Sequence, residues 1–370
     1  MSNFTTTYDN TIFHKNSAFT IGAELEVRLI ELQSMKPANI SPFIFEELPD
    51  ELKDNVHKEL LQSMVEIVTP ICNSAKEAQT FIMDTLHKLK SITNKKGVEL
   101  AALATHPFET KDDNSFFSDP RYDEFAKELG IVLKNFLISG LHIHIAMPNE
   151  EAAINAYNHS IHLLPLFVAL SANSPFSVGE DTKLQSYRSK IFERLPRAGI
   201  PEYFNSYKDY CKLTDLLFLT GTIKTVKDVW WDVRIHQKFG TIELRVSDAF
   251  YDNERLELII LLYQAMLKYY SNFKATRELY QISKQNKWNA VRHGLKGNFI
   301  DGTKVINIRK KLHNEVDILD KNGIFKELNA QDRVEALHNL IDKNSIARKL
   351  RKIYQDTNSF EAVIKEEIFK

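Results

Sequence analysis

Three stretches of the chain, residues 21–29, 141–146 and 241–248, alternate between apolar and polar side chains. This alternation is typical of a β-strand with one face in a hydrophobic core and the other face lining a site. The polar faces carry, in chain order, Glu24, Glu26, Arg28, His142, His144, Glu243 and Arg245. Because the stretches are far apart in sequence, the simplest arrangement is one curved sheet whose concave face is a candidate active site.

Capping residues and apolar spacing predict the helices around this sheet. Ser74 and Glu77 form a capping-box pattern that opens a helix, and Gly97 is suited to end it. Two further helices are predicted over 120–139 and 149–170. The C-terminal part of the chain is predicted to be helical over 254–273, 304–319, 331–341 and 345–368.

Shorter strands complete the predicted sheet. They are expected over 59–70 and 98–104, and a hairpin should join 232–236 to 241–248. These elements predict an α+β fold with a curved, mainly antiparallel sheet, backed by helices and followed by a helical layer from about residue 253. No repeat, low-complexity tract or linker interrupts the pattern, so the whole chain is expected to form a single domain.

Composition narrows the possible partners and location. The chain has 370 residues, of which 43% are hydrophobic, and its formal net charge is −1, so nothing suggests a nucleic-acid partner. Cys72 and Cys211 are far apart and are expected to be reduced thiols. Residues 1–5 show no secretory signal, and no apolar run is long enough to span a membrane. A cytoplasmic protein without a membrane partner is predicted.

The acidic and imidazole side chains of the polar faces are candidate metal ligands. Glu24 and Glu26 lie two residues apart on one strand, so their Cα atoms are ~7 Å apart on the same face, where like charges favour a nearby cation. Carboxylates on an exposed sheet edge are the alternative. His142 and His144 repeat this spacing and favour a ligand or phosphate-binding role. A carboxylate-rich site with one imidazole suits Mg²⁺ or Mn²⁺ better than Zn²⁺.

The third strand carries a carboxylate and a guanidinium on the same face. Glu243 and Arg245 can pair with each other, or Glu243 can hold a metal while Arg245 binds a phosphoryl group. The chain contains neither a Walker A pattern nor the Gly-x-Gly-x-x-Gly pattern. Several metal ligands with arginines and no glycine-rich phosphate loop therefore favour nucleotide chemistry outside the P-loop class.

Nine short motifs, distributed in order along nearly the whole chain, carry a family resemblance. They lie at 22–26, 62–69, 105–108, 140–144, 170–176, 231–234, 239–246, 292–295 and 335–338. Together they resemble the bacterial carboxylate–amine ligases of the glutamate–cysteine ligase type 2 family. The resemblance implies a glutamine-synthetase-like fold, in which the sheet forms a funnel-shaped active site that holds ATP and two or three Mg²⁺ or Mn²⁺ ions.

The resemblance also implies roles for individual residues. One metal near the nucleotide phosphates would be held by Glu24, His142 and Glu243. Another metal, nearer the acyl substrate, would be held by Glu26, Glu66 and, if the chain bends after it, Glu59. The remaining candidates are His144, Asn173, Arg234 and Arg245 for the nucleotide, Arg188 and Arg292 for a substrate carboxylate or phosphate, and Arg245 and Arg188 for catalysis.

The activity implied by the resemblance is ATP-dependent amide formation through an acyl phosphate. The implied substrates are small molecules, L-glutamate and L-cysteine or another carboxylate–amine pair, and a homodimer is the expected assembly. Three other readings stay open at this point. They are a metal-dependent hydrolase using the His-x-His strand, a guanidino-kinase-like phosphotransferase, and a non-catalytic sensor of ATP or an amino acid.

Overall fold

The computed structural model describes residues 12–15, 17–117 and 120–370, with the backbone alone for residues 120–122. The prediction that no secretory signal is present concerns residues 1–5, which lie outside the described residues. Within the described ranges, no helix is both long enough and apolar enough to cross a lipid bilayer.

The strands form one seven-stranded sheet and three two-stranded ribbons among the described residues. In chain order they are β1 (Ile21–Glu31), β2 (Val56–Lys58), β3 (Met64–Val68), β4 (Val98–Ala101), β5 (Gly140–Ala146), β6 (Phe176–Ser177), β7 (Glu180–Asp181), β8 (Ala198–Gly199), β9 (Trp230–Trp231), β10 (Val233–His236), β11 (Thr241–Asp248), β12 (Asn298–Asp301) and β13 (Lys304–Asn307). The main sheet runs β10-β11-β5-β1-β3-β2, and β4 pairs with β1 beyond the end of β5. Every pairing in this sheet is antiparallel.

The three strands with alternating patterns are neighbours at the centre of this sheet. Strand β5 lies between β1 and β11, so residues from three distant parts of the chain share one face. The predicted α+β fold with a mainly antiparallel sheet is confirmed, as is the hairpin of β10 and β11. The physical reason is that each strand has a fully apolar side, which must be covered, and a polar side, which can line a site.

Fourteen helices occur among the described residues. They are α1 (Ser41–Glu47), α2 (Ala75–Thr93), α3 (Pro120–Leu129), α4 (Ile131–Lys134), α5 (Glu150–Ser171), α6 (Arg188–Phe192), α7 (Tyr207–Leu219), α8 (Asn253–Tyr270), α9 (Tyr280–His293), α10 (Ile308–Lys321), α11 (Ile324–Glu327), α12 (Val334–Asp342), α13 (Ile346–Thr357) and α14 (Phe360–Glu366). Helices α2, α5 and α8 contact strands of the main sheet. One hydrophobic cluster joins them and extends from Phe13 to Phe369.

The start and the end of α2 follow the predicted local chemistry. The Ser74 side chain accepts a hydrogen bond from the backbone N–H of Glu77 at 3.1 Å. The α-helix ends at Thr93, and a 3₁₀ turn over Asn94–Lys96 continues it to Gly97, whose φ of 67° is a left-handed conformation that glycine adopts without a steric penalty. Both predicted boundaries of this helix are therefore confirmed.

Two predicted elements near the sheet are different in the structure. The stretch predicted as a strand over 59–70 is extended only in β3, and residues 59–63 form a turn between β2 and β3. Residues 304–307, predicted as the start of a helix, form β13 of a hairpin instead. In both places the spacing of the apolar residues does not distinguish a strand from a helix or a turn. The conformation is decided by contacts with other segments.

Several helices were predicted with wrong bounds or not at all. The helix predicted over 345–368 is broken at Asn358, which has φ of 50°, and the one over 120–139 is interrupted at Gly130. Helices α1, α7 and α9 had no predicted counterpart. In α9 the buried side includes Ser283, Asn286 and Lys287, so the usual apolar stripe is missing from the sequence.

Candidate active site

The carboxylates and imidazoles predicted from the strand pattern lie side by side on one face of the sheet. The strand register places Glu24 opposite His142 and Glu26 opposite Glu66. On the other side of β5, Glu243 is opposite His144. Side chains directly opposite each other on antiparallel strands are close enough to interact, so this register brings the acidic groups of both halves of the chain together.

Two groups of three potential ligand atoms converge on this face. One group is Glu24, His142 and Glu243, and the other is Glu26, Glu66 and His142, with the ligand atoms of each group within 4.8 Å of one another. The imidazole of His142 is shared by both groups and is buried. Its Nδ1 lies 3.1 Å from Glu24 Oε2, and its Nε2 lies 3.8 Å from Glu26 Oε1 without a hydrogen bond.

The carboxyl groups of the site differ in the direction in which their surroundings shift the pKa. Burial alone would raise the pKa of Glu24, but the charge of His144 and the hydrogen bond from His142 hold that pKa well below its usual value. Burial and the charge of Glu26 raise the pKa of Glu59 to about 8. Burial and the charge of Glu59 likewise raise the pKa of Glu66 well above its usual value. Such a cluster favours bound cations, because a cation relieves the repulsion between its members.

Glu243 is the carboxylate most strongly held by arginines. It is fully buried, Arg234 Nε donates to its Oε2 at 2.8 Å, and Arg234 Nη2 lies 2.6 Å from the same oxygen. Arg245 also pairs with it. Despite burial, Arg234 and Arg245 lower the pKa of Glu243 strongly, so it stays ionised. The alternative in which Glu243 and Arg245 pair with each other therefore occurs in this structure.

His144 completes this end of the site. Its Nε2 lies 3.2 Å from Glu24 Oε1, and its Nδ1 lies 3.0 Å from the Thr241 hydroxyl. Burial lowers its pKa, but the charges of Glu243 and Glu24 outweigh burial and raise it. The position of His144 between two carboxylates therefore favours its protonated form more than solvent does, and an imidazole at this place suits contact with a phosphate.

Arg188 comes from a loop and a short helix, yet it reaches the same face of the sheet. It is buried, and its Nη1 donates to the backbone oxygen of Arg245 at 3.2 Å. Gly140 at the start of β5 makes room for it, because a Cβ at Gly140 would lie 2.2 Å from Arg188 Nη2. The backbone N–H of Gly140 donates to Glu26 Oε2 at 2.6 Å, which connects the arginine to the acidic cluster.

These groups line a cavity of about 210 Å³. Its charged lining consists of Glu24, Glu26, Glu59, Glu66, His142, Arg188 and Arg245. Much of the remaining lining is a hydrophobic cluster that we call the apolar wall, formed by Phe125, Leu129, Leu133, Phe136, Leu195 and Trp230. The cavity therefore combines a charged part with an apolar part.

A second cavity of about 230 Å³ lies beside Glu24 and His144. Apart from these two and three threonines, its lining is glycine and apolar side chains. Among the latter, Phe239 and Ile71 are 46% and 71% exposed. Since Glu24 lines both cavities, the carboxylate cluster stands between two compartments.

Three residues that the sequence analysis placed on the polar faces or assigned to the site do not line either of these two cavities. Asn173 is fully buried, and its amide bonds to backbone oxygens of Ala102 and Ala249, so it joins segments of the fold. Arg292 is half-buried, donates to the backbone oxygen of Lys183 and lines a different, open cleft. Arg28 lies on the polar side of β1 but is buried in an ion pair with Glu109.

One ion pair next to the site was not recognised from the sequence. Lys287 of α9 is buried and lies 2.6 Å from Asp232 Oδ2 and 2.8 Å from Glu193 Oε1. The backbone oxygen of Asp232 accepts a hydrogen bond from the N–H of Arg245 at 2.9 Å, so this pair supports the strand that carries Arg245. Because α9 was not predicted, no signal in the sequence pointed to Lys287.

Solved structures of ligases share this fold. The chain matches the glutamate–cysteine ligase of Francisella tularensis in complex with AMP with a TM-score of 0.70 and 13% identity, over 96% of this chain and 89% of the other. It matches a bifunctional glutathione synthetase from Pasteurella multocida with a TM-score of 0.66 and 13% identity, over 94% of this chain and 51% of the other. The fold is thus the glutamine-synthetase-like fold of such ligases, as predicted.

Sequence comparison assigns the family. The model of glutamate–cysteine ligase family 2 matches residues 20–366. A relative from Gloeobacter violaceus named "Putative glutamate--cysteine ligase 2" is 32% identical over 359 residues, which cover 95% of this chain and 96% of the relative. A relative of the same name from Chloroflexus aggregans is 33% identical over 354 residues, covering 94% and 90%. The chain belongs to glutamate–cysteine ligase family 2 and is a ligase that forms carbon–nitrogen bonds.

Proposed function

We propose that this protein is an ATP-dependent carboxylate–amine ligase that forms an amide through an acyl phosphate. The observation that carries the proposal is the convergence of two sets of potential metal ligands, Glu24–His142–Glu243 and Glu26–Glu66–His142, between two cavities. A ligase of this kind has to bring a nucleotide and an acyl substrate to one point from different sides.

The residues of both sets fit divalent cations. Four of the five are carboxylates, the ligand type that Mg²⁺ and Mn²⁺ prefer, and the buried Nε2 of His142 makes no hydrogen bond. We assign Glu24, His142 and Glu243 to one ion, and Glu26 and Glu66 to another. When bound, the ions supply positive charge that offsets the charge of the phosphates.

We place the nucleotide in the second cavity. Its apolar lining suits a purine base, and His144 lies between that lining and the acidic cluster, where a phosphate would follow the base. The related Francisella enzyme was solved with AMP, which makes an adenine nucleotide the first ligand to test. Arg234 and Arg245, which already hold Glu243, are the guanidinium groups that we assign to the nucleotide phosphates.

The arginines of the first cavity have roles that follow from charge. Arg188 and Arg245 line the cavity together with the carboxylates, and they are its two guanidinium groups among the described lining residues. We assign Arg188 to the carboxylate of the acyl substrate and Arg245 to the phosphoryl group during transfer, where charge stabilisation has its largest effect.

The chemistry then has two displacement steps. An oxygen of the substrate carboxylate attacks the γ-phosphorus of ATP, the bond from that phosphorus to the bridging oxygen breaks, and ADP leaves. The amine nitrogen attacks the acyl carbon of the resulting acyl phosphate, the carbon–oxygen bond breaks, and phosphate leaves as the nitrogen loses a proton. L-glutamate and L-cysteine, giving γ-glutamylcysteine, are the first pair to test, and a homodimer is the assembly we expect.

The test is metal-dependent ADP release that requires both substrates. The purified chain is incubated with ATP, Mg²⁺ or Mn²⁺, and pairs drawn from a panel of acids and amines, and ADP and amide are measured together. We expect ADP and amide in equal amounts, and we expect EDTA to abolish both. Hydrolysis of an ester or amide without ATP, or a phosphorylated guanidine as product, would contradict the proposal.

The placement of the nucleotide gives a second prediction. Phe239→Ala should raise the KM for ATP about tenfold with a smaller change in kcat, because the base loses an apolar contact of this size. Phe273→Ala is the matched control, since Phe273 is similarly exposed at 48% and does not line either cavity. An unchanged KM for ATP in Phe239→Ala would show that the base binds elsewhere.

A further inference from the structure

The open cleft that contains Arg292 is strongly basic. Its volume is about 370 Å³, which lies within the range of ligand sites, and it shares no lining residue with either cavity of the candidate active site. We call it the basic cleft. Among its described lining residues Asp181 is the one carboxylate, and the basic side chains are Lys183, Arg292, Arg348, Arg351 and Lys352.

The single carboxylate of the basic cleft is already paired. Asp181 Oδ1 accepts hydrogen bonds from Arg351 Nε at 3.0 Å and from Arg351 Nη2 at 2.9 Å, and its Oδ2 accepts one from Lys183 Nζ at 3.0 Å. Among the described residues, neither Arg292 nor Arg348 forms an ion pair with a carboxylate. Two guanidinium groups of the cleft are therefore left without a counter-charge.

The face of α13 that lines the basic cleft carries only positive charge. Arg351 and Lys352 lie three and four residues after Arg348, a spacing that places their side chains beside that of Arg348. Like charges at this spacing destabilise a helix. Burial and the charges of Arg351 and Arg309 accordingly lower the pKa of Arg348. A bound anion would relieve this repulsion.

A buried amide is the second sign of a ligand in the basic cleft. Gln185 lines the cleft but is only 6% exposed. Its Oε1 accepts a hydrogen bond from the Ser345 hydroxyl at 3.0 Å, whereas its side-chain nitrogen donates to no described residue. Because buried polar groups usually have partners, this nitrogen indicates a ligand that carries hydrogen-bond acceptors.

The charge of the basic cleft matches a chain of phosphates better than a single phosphate. Guanidinium groups bind phosphate oxygens through paired hydrogen bonds. One phosphate group carries about −1.5 to −2 charges at neutral pH, which would leave much of the excess positive charge unmatched. The described lining contains no aromatic side chain on which a base could stack, so the phosphates themselves would be recognised.

We propose that the basic cleft binds an oligophosphate, of the pyrophosphate or tripolyphosphate class, at a site separate from the candidate active site. Arg292 and Arg348 would bind its oxygens, and the Gln185 amide would donate to one of them. Lys352, which is exposed, would add charge at the rim of the cleft. This proposal goes beyond the ligase function and does not depend on it.

The test is calorimetric titration of the full chain with phosphate, pyrophosphate and tripolyphosphate in the presence of EDTA. Without divalent cations, the carboxylates of the candidate active site disfavour an anion there. We expect both oligophosphates to bind at least about tenfold more tightly than phosphate, because each further charge-assisted contact adds affinity. No binding, or equal affinity for all three anions, would overturn the proposal.

Variants on α13 locate the bound anion. Arg348→Gln should weaken tripolyphosphate binding at least about tenfold, and Lys352→Gln about threefold, since its charge is exposed. Lys349→Gln is the matched control for Lys352→Gln. It removes the same charge from the same helix, but Lys349 is exposed outside the cleft and pairs with Glu366.

We expect Lys349→Gln to bind tripolyphosphate as the unmodified chain does, with circular dichroism confirming that all variants are folded. Equal weakening by Lys349→Gln and Lys352→Gln would mean that only the net charge matters and would overturn the proposal. Unchanged affinity in Arg348→Gln would place the anion elsewhere, with the same consequence. Either result leaves the test of the ligase function, metal-dependent ADP release, unaffected.

Discussion

Replacement of Glu24 by alanine is expected to lower kcat for ADP release about 10³-fold while the protein stays folded. Glu24 lies between His142 and His144, at 3.1 and 3.2 Å, and it lines both cavities, so its loss removes a carboxylate shared by the nucleotide side and the substrate side. Removal of one group that stabilises transition-state charge typically costs 10²–10³ in kcat. Loss of a proposed metal ligand places this variant at the upper end of that range.

The measurement is steady-state ADP release, with circular dichroism to monitor folding. Glu31→Ala is a matched control, because Glu31 is the last residue of the same strand and is exposed. We also expect Glu24→Ala to need a higher Mg²⁺ concentration for any remaining activity. Full turnover in Glu24→Ala at the wild-type Mg²⁺ requirement would contradict the ligand assignment.

Replacement of Arg28 by methionine is expected to lower the free energy of unfolding by about 3–5 kcal/mol. Arg28 and Glu109 are 1% and 3% exposed and lie 2.7 Å apart, and Arg28 Nε also donates to the backbone oxygen of Leu103 at 2.9 Å. The variant leaves the Glu109 charge buried without its partner, which costs more than the pair itself contributes. The measurement is equilibrium unfolding in urea.

Two further variants separate the ion pair from other effects. The double variant Arg28→Met with Glu109→Leu should recover most of the lost stability, because no buried charge is then left alone. Lys53→Met should change stability little, since the Lys53–Asp50 pair is exposed to solvent. A loss below about 1 kcal/mol in Arg28→Met would mean that the pair behaves like a surface ion pair.

The strand pattern was sufficient to predict which acidic and imidazole groups share a face. The alternation in β1, β5 and β11 has a period of two, and a one-residue error would turn the apolar residues outward, so the assignment of faces is strongly determined. The capping of α2 was likewise local, because Ser74 acts on Glu77 in the first turn and Gly97 acts on the residues directly before it. The motifs that are spread along the chain were sufficient to predict the family.

Arginines with similar sequence surroundings lie in different environments in the structure, and the sequence does not distinguish them. Arg188 reaches the cavity, because Gly140 leaves space for it, whereas Arg292 pairs with a backbone oxygen in another cleft. Arg28 follows the polar side of β1 yet is part of the structural core. The difference depends on neighbours that are distant in the chain, and no local pattern encodes them.

The sequence by itself determined the class of the sheet, the polar face of its central strands and the family to which the chain belongs, because these depend on period, capping and motif order. Only the tertiary structure decided that His142 is shared by both groups of ligand atoms, that Asn173 and Arg292 lie outside the cavity, and that a cluster of apolar side chains completes the lining. The physical reason is that cavities form from side chains on separate segments, and their shape follows from packing rather than from any single stretch of residues.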